Sequence, residues 1–554
     1  MSSYSQAIGV QESAFRSGVR VSPLVSVWLP SLGAVIFAVT LVHVLFLSEG
    51  TRSLFRDSDT GWHIRSGEAI LSAAAVPRFD PYSYTRSGQP WFTWEWLSDV
   101  LLGSAHRVAG PSGVALLAAL VIALTVWGAA RFALSLDGNL FFTAIATVLL
   151  LGTTSIHWLA RPHVFSWLAA LVFLAIVERE RRSSSESISN FGGAGSSRAT
   201  TRTFYWLPAL ACLWANLHGS FLLGPAILFL YAMGEAIGAV AGVGQFHGNV
   251  NSYANARSLT VAARMIVVAW RAGRKFALAG AASLAATFVN PYGWHLHAHV
   301  LAYLRNTYLM DHISEFRSFS FHSPGAFYVE LFLLVAVLGA VALVRQRAYG
   351  PALLALAMLH LSLYSARHLP TSAVLLLPLS VAALTREVEQ WPRWRPFLEY
   401  SRRFRSIDRK VGGAVPVVLV LAATVAVLVP MARADRVGFD PVKFPAAAAD
   451  FLEQRGLENR IFAKDQWGGY LIYRFQGRLK VFLDGRSDFY GQDMLETYAR
   501  VMEVKPGWDT VLKQFDVRMV LVPPDHALAS ILTLSPDWKR VYSDPVATIF
   551  ERIG

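Results

Sequence analysis

The feature that most limits what this chain can become is a set of long stretches holding no Asp, Glu, Lys or Arg. They cover residues 21–48, 108–130, 138–160, 162–177, 203–234, 276–304, 348–366, 368–385 and 411–432, and segment 318–344 holds only Glu330. A helix needs about 20 apolar residues to cross a bilayer, and most of these windows reach or approach that length. Only 16% of the 554 residues are charged, against roughly 25% in an ordinary soluble domain. A water-soluble enzyme is thereby excluded. The first window is too long for a cleaved signal peptide and lacks a clear small-residue cleavage site, so a retained signal anchor is expected. The single cysteine, Cys212, excludes an intramolecular disulfide and a Cys-based zinc site.

The net charge of +13 belongs to a membrane face rather than to nucleic acid. Lys and Arg in short loops mark the cytoplasmic side. They cluster at Arg16 and Arg20, at Arg179, Arg181, Arg182, Arg198 and Arg202, at Arg257 to Lys275, at Arg345 and Arg347, and at Arg386 to Lys410. Placing all of them in the cytoplasm requires 11 spans or so, starting near residues 24, 113, 139, 163, 204, 219, 276, 326, 351, 370 and 413. The window 203–234 is divided at Asn216–Gly219, where a polar break suits a hairpin, and 96–109 is expected to be re-entrant or interfacial. The resulting organisation is a cytoplasmic tail over 1–23, a multi-pass region over 24–435 and an extracytoplasmic domain over 436–554. The multi-pass region carries a long first outer loop, 49–112, and a cytoplasmic linker, 178–203, whose stretch 183–200 is of low complexity.

In this topology the unusual polar groups share one face. The first loop contains Asp57, Asp59, His63, Asp80 and Glu95. Short outer turns contain Arg161 and His163 (HWLARPH), His218 (ANLHGS), Asn290 (NPYGWHLHAH), and Arg367 and His368 (YSARH). Ionisable groups at membrane depth are costly and mark function. Asp59 and His63, four apart at the start of an amphipathic helix expected over 59–73, share a helix face. Carboxylates here can deprotonate an acceptor hydroxyl or hold a divalent cation. The plainer readings are a helix cap for Asp57 or Asp59 and surface ion pairs for Glu95 and Asp99 with Arg65 or Arg86. Trp62, Trp91, Trp94 and Trp96 are expected either to anchor the loop in the interface or to stack on sugars.

These residues carry a resemblance. The first span, the outer loop opening on an acidic pair, the Pro77-x-x-Asp80 stretch and the segments PWFTWEWLSDVLLGSAHRVAG and LARPHVFSWLAALVFLA resemble the GT-C superfamily of glycosyltransferases, of the protein O-mannosyltransferase and aminoarabinose-transferase types, over residues 24–180. Over nearly its whole length the chain also looks like bacterial multi-pass membrane proteins of unassigned function. The shared motifs are D-x-D-x-x-W-H-I-x-x-G (Asp57–Gly67), R-P-H-x-F-S-W (Arg161–Trp167), N-P-Y-G-W (Asn290–Trp294), S-x-R-H (Ser365–His368) and D-G-R (Asp484–Arg486).

The resemblance implies an α-helical polytopic membrane protein of GT-C type, with about 11–12 spans, in the bacterial inner membrane. It implies a sugar donor linked to polyprenyl phosphate, and a glycan, lipid or protein of the envelope as acceptor. The family's acidic residue maps to Asp57 or Asp59, although Ser58 separates a pair that is often adjacent. His63, Asp80, Glu95, Arg161, His163, His218, Asn290, Arg367 and His368 are expected around the substrates, with Arg161, Arg367 and His368 on the lipid phosphate. Membrane lipids are expected partners and nucleic acid is not. A divalent cation, Mg or Mn, would have Asp57, Asp59 and His63 as its candidate ligands.

Beyond the last span the pattern changes to an α/β layer. Helices are expected at FPAAAADFLEQRG, DMLETYARVMEV and WDTVLKQF. Strands are expected at RIFAKD, LKVFLDG and VRMVLVPP, a short helix or strand at QWGGYLIYRF, and a hairpin at the end. Asp484 and Arg486 are either a ligand loop at a strand end or a structural pair. Two other functions fit the sequence: a transporter or flippase of a lipid-linked or anionic substrate, and a non-catalytic scaffold of envelope polysaccharide assembly.

Overall fold

A computed structural model describes residues 22–190, 201–247, 258–456 and 460–553. The expected tail up to residue 21 and linker residues 191–200 lie outside the described residues. Among the described residues, seven helices are long and apolar enough to cross a membrane: Val25–Phe46, Trp96–Ser135, Leu140–His157, Gly219–Gly242, Ala326–Arg345, Ala366–Glu389 and Ala414–Arg433. Tyr349–Tyr364 is apolar but shorter. The other expected spans fall on His163–Asn190, Leu207–Leu217 and Ser258–Ala286. The chain is a multi-pass membrane protein.

Two breaks position the site. Backbone helicity is interrupted at Ala109 and Gly110, where Gly110 takes φ 57° and Pro111 follows. Glycine accepts that conformation, and proline is pre-set for the first turn of a new helix. Segment 96–109 is therefore a helix distinct from the one after it. It lies on Asp59–Ala73 at a crossing where Gly67 meets the Asp99 carbonyl and Gly103 meets Glu68, with no room for a Cβ on either glycine. The second break is at His218, whose extended backbone (φ −164°, ψ 149°) separates Leu207–Leu217 from the next helix. The hairpin expected at Asn216–Gly219 is present.

Three of the arginines expected on the cytoplasmic side meet at one end of the bundle. Arg182, Arg386 and Arg405 donate to the carbonyls of Ser135, Leu136 and Gly138 at the turn after Trp96–Ser135. From that end, Leu140–Thr154 runs to the Ser155–Arg161 turn. His163–Asn190 and Leu369–Glu389 start beside the opposite end, at Arg161 and His368.

The C-terminal part forms a four-stranded sheet in the order β1-β2-β4-β3: β1 Ile461–Ala463, β2 Met519–Val522, β3 Trp538–Ser543 and β4 Thr548–Arg552. β1 and β2 are parallel, and β4 pairs antiparallel with β2 and β3. QWGGYLIYRF is helical, over Asp465–Arg474. One expectation is corrected: LKVFLDG is not a strand. Val481 makes only isolated bridges, to Ile461 and to Ser83 of the first loop. Its amide donates to the Tyr82 carbonyl and its carbonyl accepts from the Tyr84 amide, so the first loop takes the pairing a sheet neighbour would have made.

The first loop and the C-terminal part share one core. Trp62, Tyr82 and Trp91 are buried with Phe444, Trp467, Tyr470, Leu471 and Val481. Trp62 and Trp91 are thus neither interfacial anchors nor exposed stacking surfaces. Gly61 and Gly469 bring the Asp59–Ala73 and Asp465–Arg474 helices into backbone contact, since a Cβ on either would collide with the other's main chain.

Candidate active site

The helix Asp59–Ala73 starts where the sequence places it, with Asp59 as its first residue and Asp57 two residues before it. No side chain caps this helix, whose N-cap residue is Ser58, so the helix-cap reading does not hold; Asp57 accepts the Asp59 amide with one oxygen at 2.9 Å. Its other oxygen does more. Arg161 reaches Asp57 Oδ2 with Nη1 at 2.5 Å and Asp59 Oδ2 with Nη2 at 3.0 Å. One guanidinium bridges both carboxylates in the forked geometry that only arginine supplies. Arg161 is set at this height by the turn Ser155–His157, and Pro162 hands the chain to the next helix.

Glu315, from the short turn Ser314–Phe316, lies on the far side of Arg161. Its carboxylate is 3.1 Å from Arg367 Nη1, 3.1 Å from His157 Nε2 and 3.9 Å from Arg161 Nη1. Burial pushes the Glu315 carboxyl up, but Arg367 and Arg161 outweigh it and hold it well below the usual carboxylate range. Arg367 in turn lies 3.4 Å from His218 Nε2, and the same nitrogen lies 3.4 Å from Glu95 Oε1. Glu95 Oε2 is 3.8 Å from His63 Nε2, and His63 Nδ1 is 2.6 Å from Asp99 Oδ1. A continuous polar chain therefore runs from Asp57 to Asp99 through four separate turns and two helices.

Electrostatics differ along this chain. Burial, then Asp57, pushes the Asp59 carboxyl up to about 8 despite Arg161. Burial pushes Glu95 up to about 7 against the pull of Arg367 and Arg161. Burial also holds His63 well below its ordinary range, in the neutral form. Desolvation disfavours charge, so Asp59 and Glu95 are acids that gain and lose protons near neutrality, while Glu315 stays ionised.

Asp57, Asp59, His63, Glu95, Arg161, His218 and Arg367 are thus brought together. His163 stands beside them, with Nε2 on the His157 carbonyl at 2.8 Å, and His368 follows Arg367 in the same short turn. Asn290 instead fixes its own turn, donating to the Thr287 and Gly293 carbonyls and accepting the Tyr292 amide. Asp80 belongs to a different cluster. It is buried, accepts the Tyr82 and Ser83 amides at 3.0 Å each, and pairs with Arg486 at 2.9 Å. Arg486 pairs equally with Asp484 at 2.7 Å and lies against the rings of Trp91, Phe489 and Tyr82. Asp484 and Arg486 form a structural pair, extended by Asp80. Their Gly485 lies directly against the Asp59 carboxylate, where a Cβ would not fit.

The surface pairs weighed for Glu95 and Asp99 with Arg65 and Arg86 do not form: Arg65 pairs with Glu68, and Arg86 donates to Gln89 and Tyr490. Glu315 and His157 are additions to the expected site. Their one sequence signal is that both lie in segments assigned to the same face. Next to the cluster, a cavity of about 540 Å³ lies between Trp96, Leu97, Cys212, Leu213, Asn216 and Val289. Asn216, in its lining, accepts Trp96 Nε1 at 2.8 Å.

The chain matches no protein-family model and no curated protein. Solved structures do match. The oligosaccharyltransferase AglB of Archaeoglobus fulgidus, in complex with an inhibitory peptide and a dolichol-phosphate, aligns with a TM-score of 0.55 at 12% identity, over 89% of this chain and 69% of that one. The Archaeoglobus fulgidus enzyme complexed with Zn and sulfate aligns at 0.50 and 13%, over 89% and 68%. ArnT of Cupriavidus metallidurans in the apo state covers 94% of this chain and 97% of its own, at 16% identity and a TM-score of 0.45. The fold is that of the GT-C glycosyltransferases.

The zinc complex of that neighbour raises the question of a metal here. The expected ligands do not fit one as they stand. Arg161 already lies between Asp57 and Asp59, His63 is turned onto Asp99, and among the described residues no three His, Cys, Asp or Glu side chains converge as a metal set. No step below is routed through a cation.

Proposed function

We propose that the protein is an integral-membrane glycosyltransferase. It moves a sugar from a polyprenyl-phosphate-linked donor to an acceptor of the cell envelope, at the outer face of the bacterial inner membrane. The observation that carries this reading is the alternation of carboxylates and guanidinium groups from Asp57 through Arg161 and Glu315 to Arg367. Dolichol-phosphate in the AglB complex, a polyprenyl phosphate held by a protein of the same fold, supports the donor class.

The chemistry follows from the charges. An acceptor hydroxyl attacks the anomeric carbon, the new carbon–oxygen bond forms, and the bond to the donor phosphate breaks. The hydroxyl proton passes to the carboxylate of Asp57, or to that of Asp59 once it has lost its own proton. Arg161 and Arg367 stabilise the phosphate as it takes on the bonding electrons. Glu95, His63 and His218 continue the same polar chain and position the acceptor. His163 and His368 stand beside it, and Asn290 shapes the turn beside the apolar cavity. That cavity suits part of an isoprenoid chain. Sidedness is supported by the arginine-rich turns lying at the opposite ends of the helices that present Arg161 and Arg367. This reading keeps the N-terminus in the cytoplasm and residues 436–554 outside.

The test is release of polyprenyl phosphate, a product common to every sugar. Purified protein is incubated with a panel of polyprenyl-phosphate sugars and an envelope extract. Wild type is expected to release it from at least one donor, and the Asp57→Asn/Asp59→Asn double variant at least about 100-fold more slowly. Equal rates in a folded double variant would overturn the proposal.

A further inference from the structure

Among the described residues Glu315 is the carboxylate within 4 Å of both Arg161 and Arg367, with Arg367 at 3.1 Å, Arg161 at 3.9 Å and His157 at 3.1 Å. Two guanidinium groups and an imidazole converging on one half-buried anion form a phosphate-type site. The segment carrying Glu315 does not need that carboxylate to stay docked. The Glu315 carbonyl accepts from Ser365 Oγ at 3.1 Å, and the Arg317 carbonyl accepts the Ala366 amide at 2.9 Å. Phe316 is buried with Leu309 and Met310, and Arg367 also lies over its ring. The backbone is thus anchored independently, while the side chain has rotatable bonds through which its head can leave. Arg161 keeps Asp57 and Asp59 in either state.

We infer that the Glu315 carboxylate is a placeholder in the donor-phosphate site. It occupies the position between Arg161, Arg367 and His157 when no donor is bound, and swings away when a phosphate takes its place. This rests on the reading of the site given above. The exchange replaces one anion by another, so the two arginines are never left buried and uncompensated, a state that is costly. It also means that phosphate binding must displace an internal competitor.

The experiment is equilibrium binding of undecaprenyl phosphate, and separately of inorganic phosphate, to the full chain in detergent. Wild type, Glu315→Gln and Arg367→Gln are compared, with thermal unfolding as the check on folding. Glu315→Gln is expected to bind undecaprenyl phosphate about tenfold more tightly, the effect of roughly one charged contact, and Arg367→Gln more weakly than wild type. A gain for inorganic phosphate as well supports recognition of the phosphate group itself. A gain for undecaprenyl phosphate alone supports a site that also needs the chain. If Glu315→Gln does not fold, Glu315→Asp, whose shorter side chain reaches the arginines less well, is expected to bind more tightly too. Unchanged or weaker binding in a folded Glu315 variant, with wild type binding normally, overturns the placeholder and leaves the glycosyltransferase reading standing. Absence of undecaprenyl phosphate binding in wild type and every variant overturns both.

Discussion

At the residue scale the site depends on one guanidinium. Arg161 answers Asp57 and Asp59 directly and Glu315 at longer range, so its loss strands like charges in a buried place. Arg161→Gln is expected to cost about 3–5 kcal/mol of stability, the usual price of breaking a buried pair from one side, and to abolish binding of undecaprenyl phosphate. Arg161→Lys, a point charge without the fork, is expected to restore stability in part and binding poorly. Thermal unfolding and ligand binding check both. Glu95 has the opposite character. Its carboxyl is raised from 4.5 to about 7, so the folded protein binds a proton there that the unfolded chain has released. Its contribution is fully present below about pH 4.5 and is lost as pH rises through 7. Glu95→Gln is therefore expected to flatten the fall in unfolding temperature between pH 5 and 8, with an effect of roughly 2–3 kcal/mol at most. A pH series of melting curves in which variant and wild type fall in parallel would contradict this.

At the element scale the first-loop helix is held by glycines at two crossings, one on residues 96–109 and one on Asp465–Arg474. Gly67→Ala and Gly469→Ala each force backbones apart and are expected to destabilise by about 1–3 kcal/mol. Both should also reduce phosphate binding, because Asp59 moves with its helix. A melting temperature within a degree of wild type for either would show the contact to be looser than described.

Much of this scale was legible in the sequence. The helix over 59–73 and the break at Asn216–Gly219 follow from local spacing and polarity. What local pattern does not encode is partnership across the chain. LKVFLDG reads as a strand because its apolar residues are buried, yet its backbone pairs with Ser83, nearly 400 residues away. For the same reason the local pattern around Asp80 does not reveal its partner, Arg486. Glu315 was missed because a lone glutamate in a long loop carries no motif, and only the fold sets it between two arginines.

For the whole molecule, the consequence is that the C-terminal part and the first loop work as one body above the polar cluster. Arg486 links them from a fully buried position, through Asp80 on one side and Asp484 on the other. Arg486→Ala is expected to cost about 3–5 kcal/mol, and limited proteolysis should then cut the first loop and the C-terminal part at faster rates. Unchanged proteolysis would mean that the shared apolar core alone holds them together. The GT-C fold fixes the architecture, while the proposed transfer depends on where a lipid-linked phosphate binds. The most direct measurement is photo-crosslinking with a polyprenyl phosphate carrying its reactive group beside the phosphate, followed by mapping of the labelled peptides. The account predicts label on the segments around Arg161, Glu315 and Arg367, removed by excess undecaprenyl phosphate. Label confined to the arginine-rich turns at the other end of the bundle would contradict it.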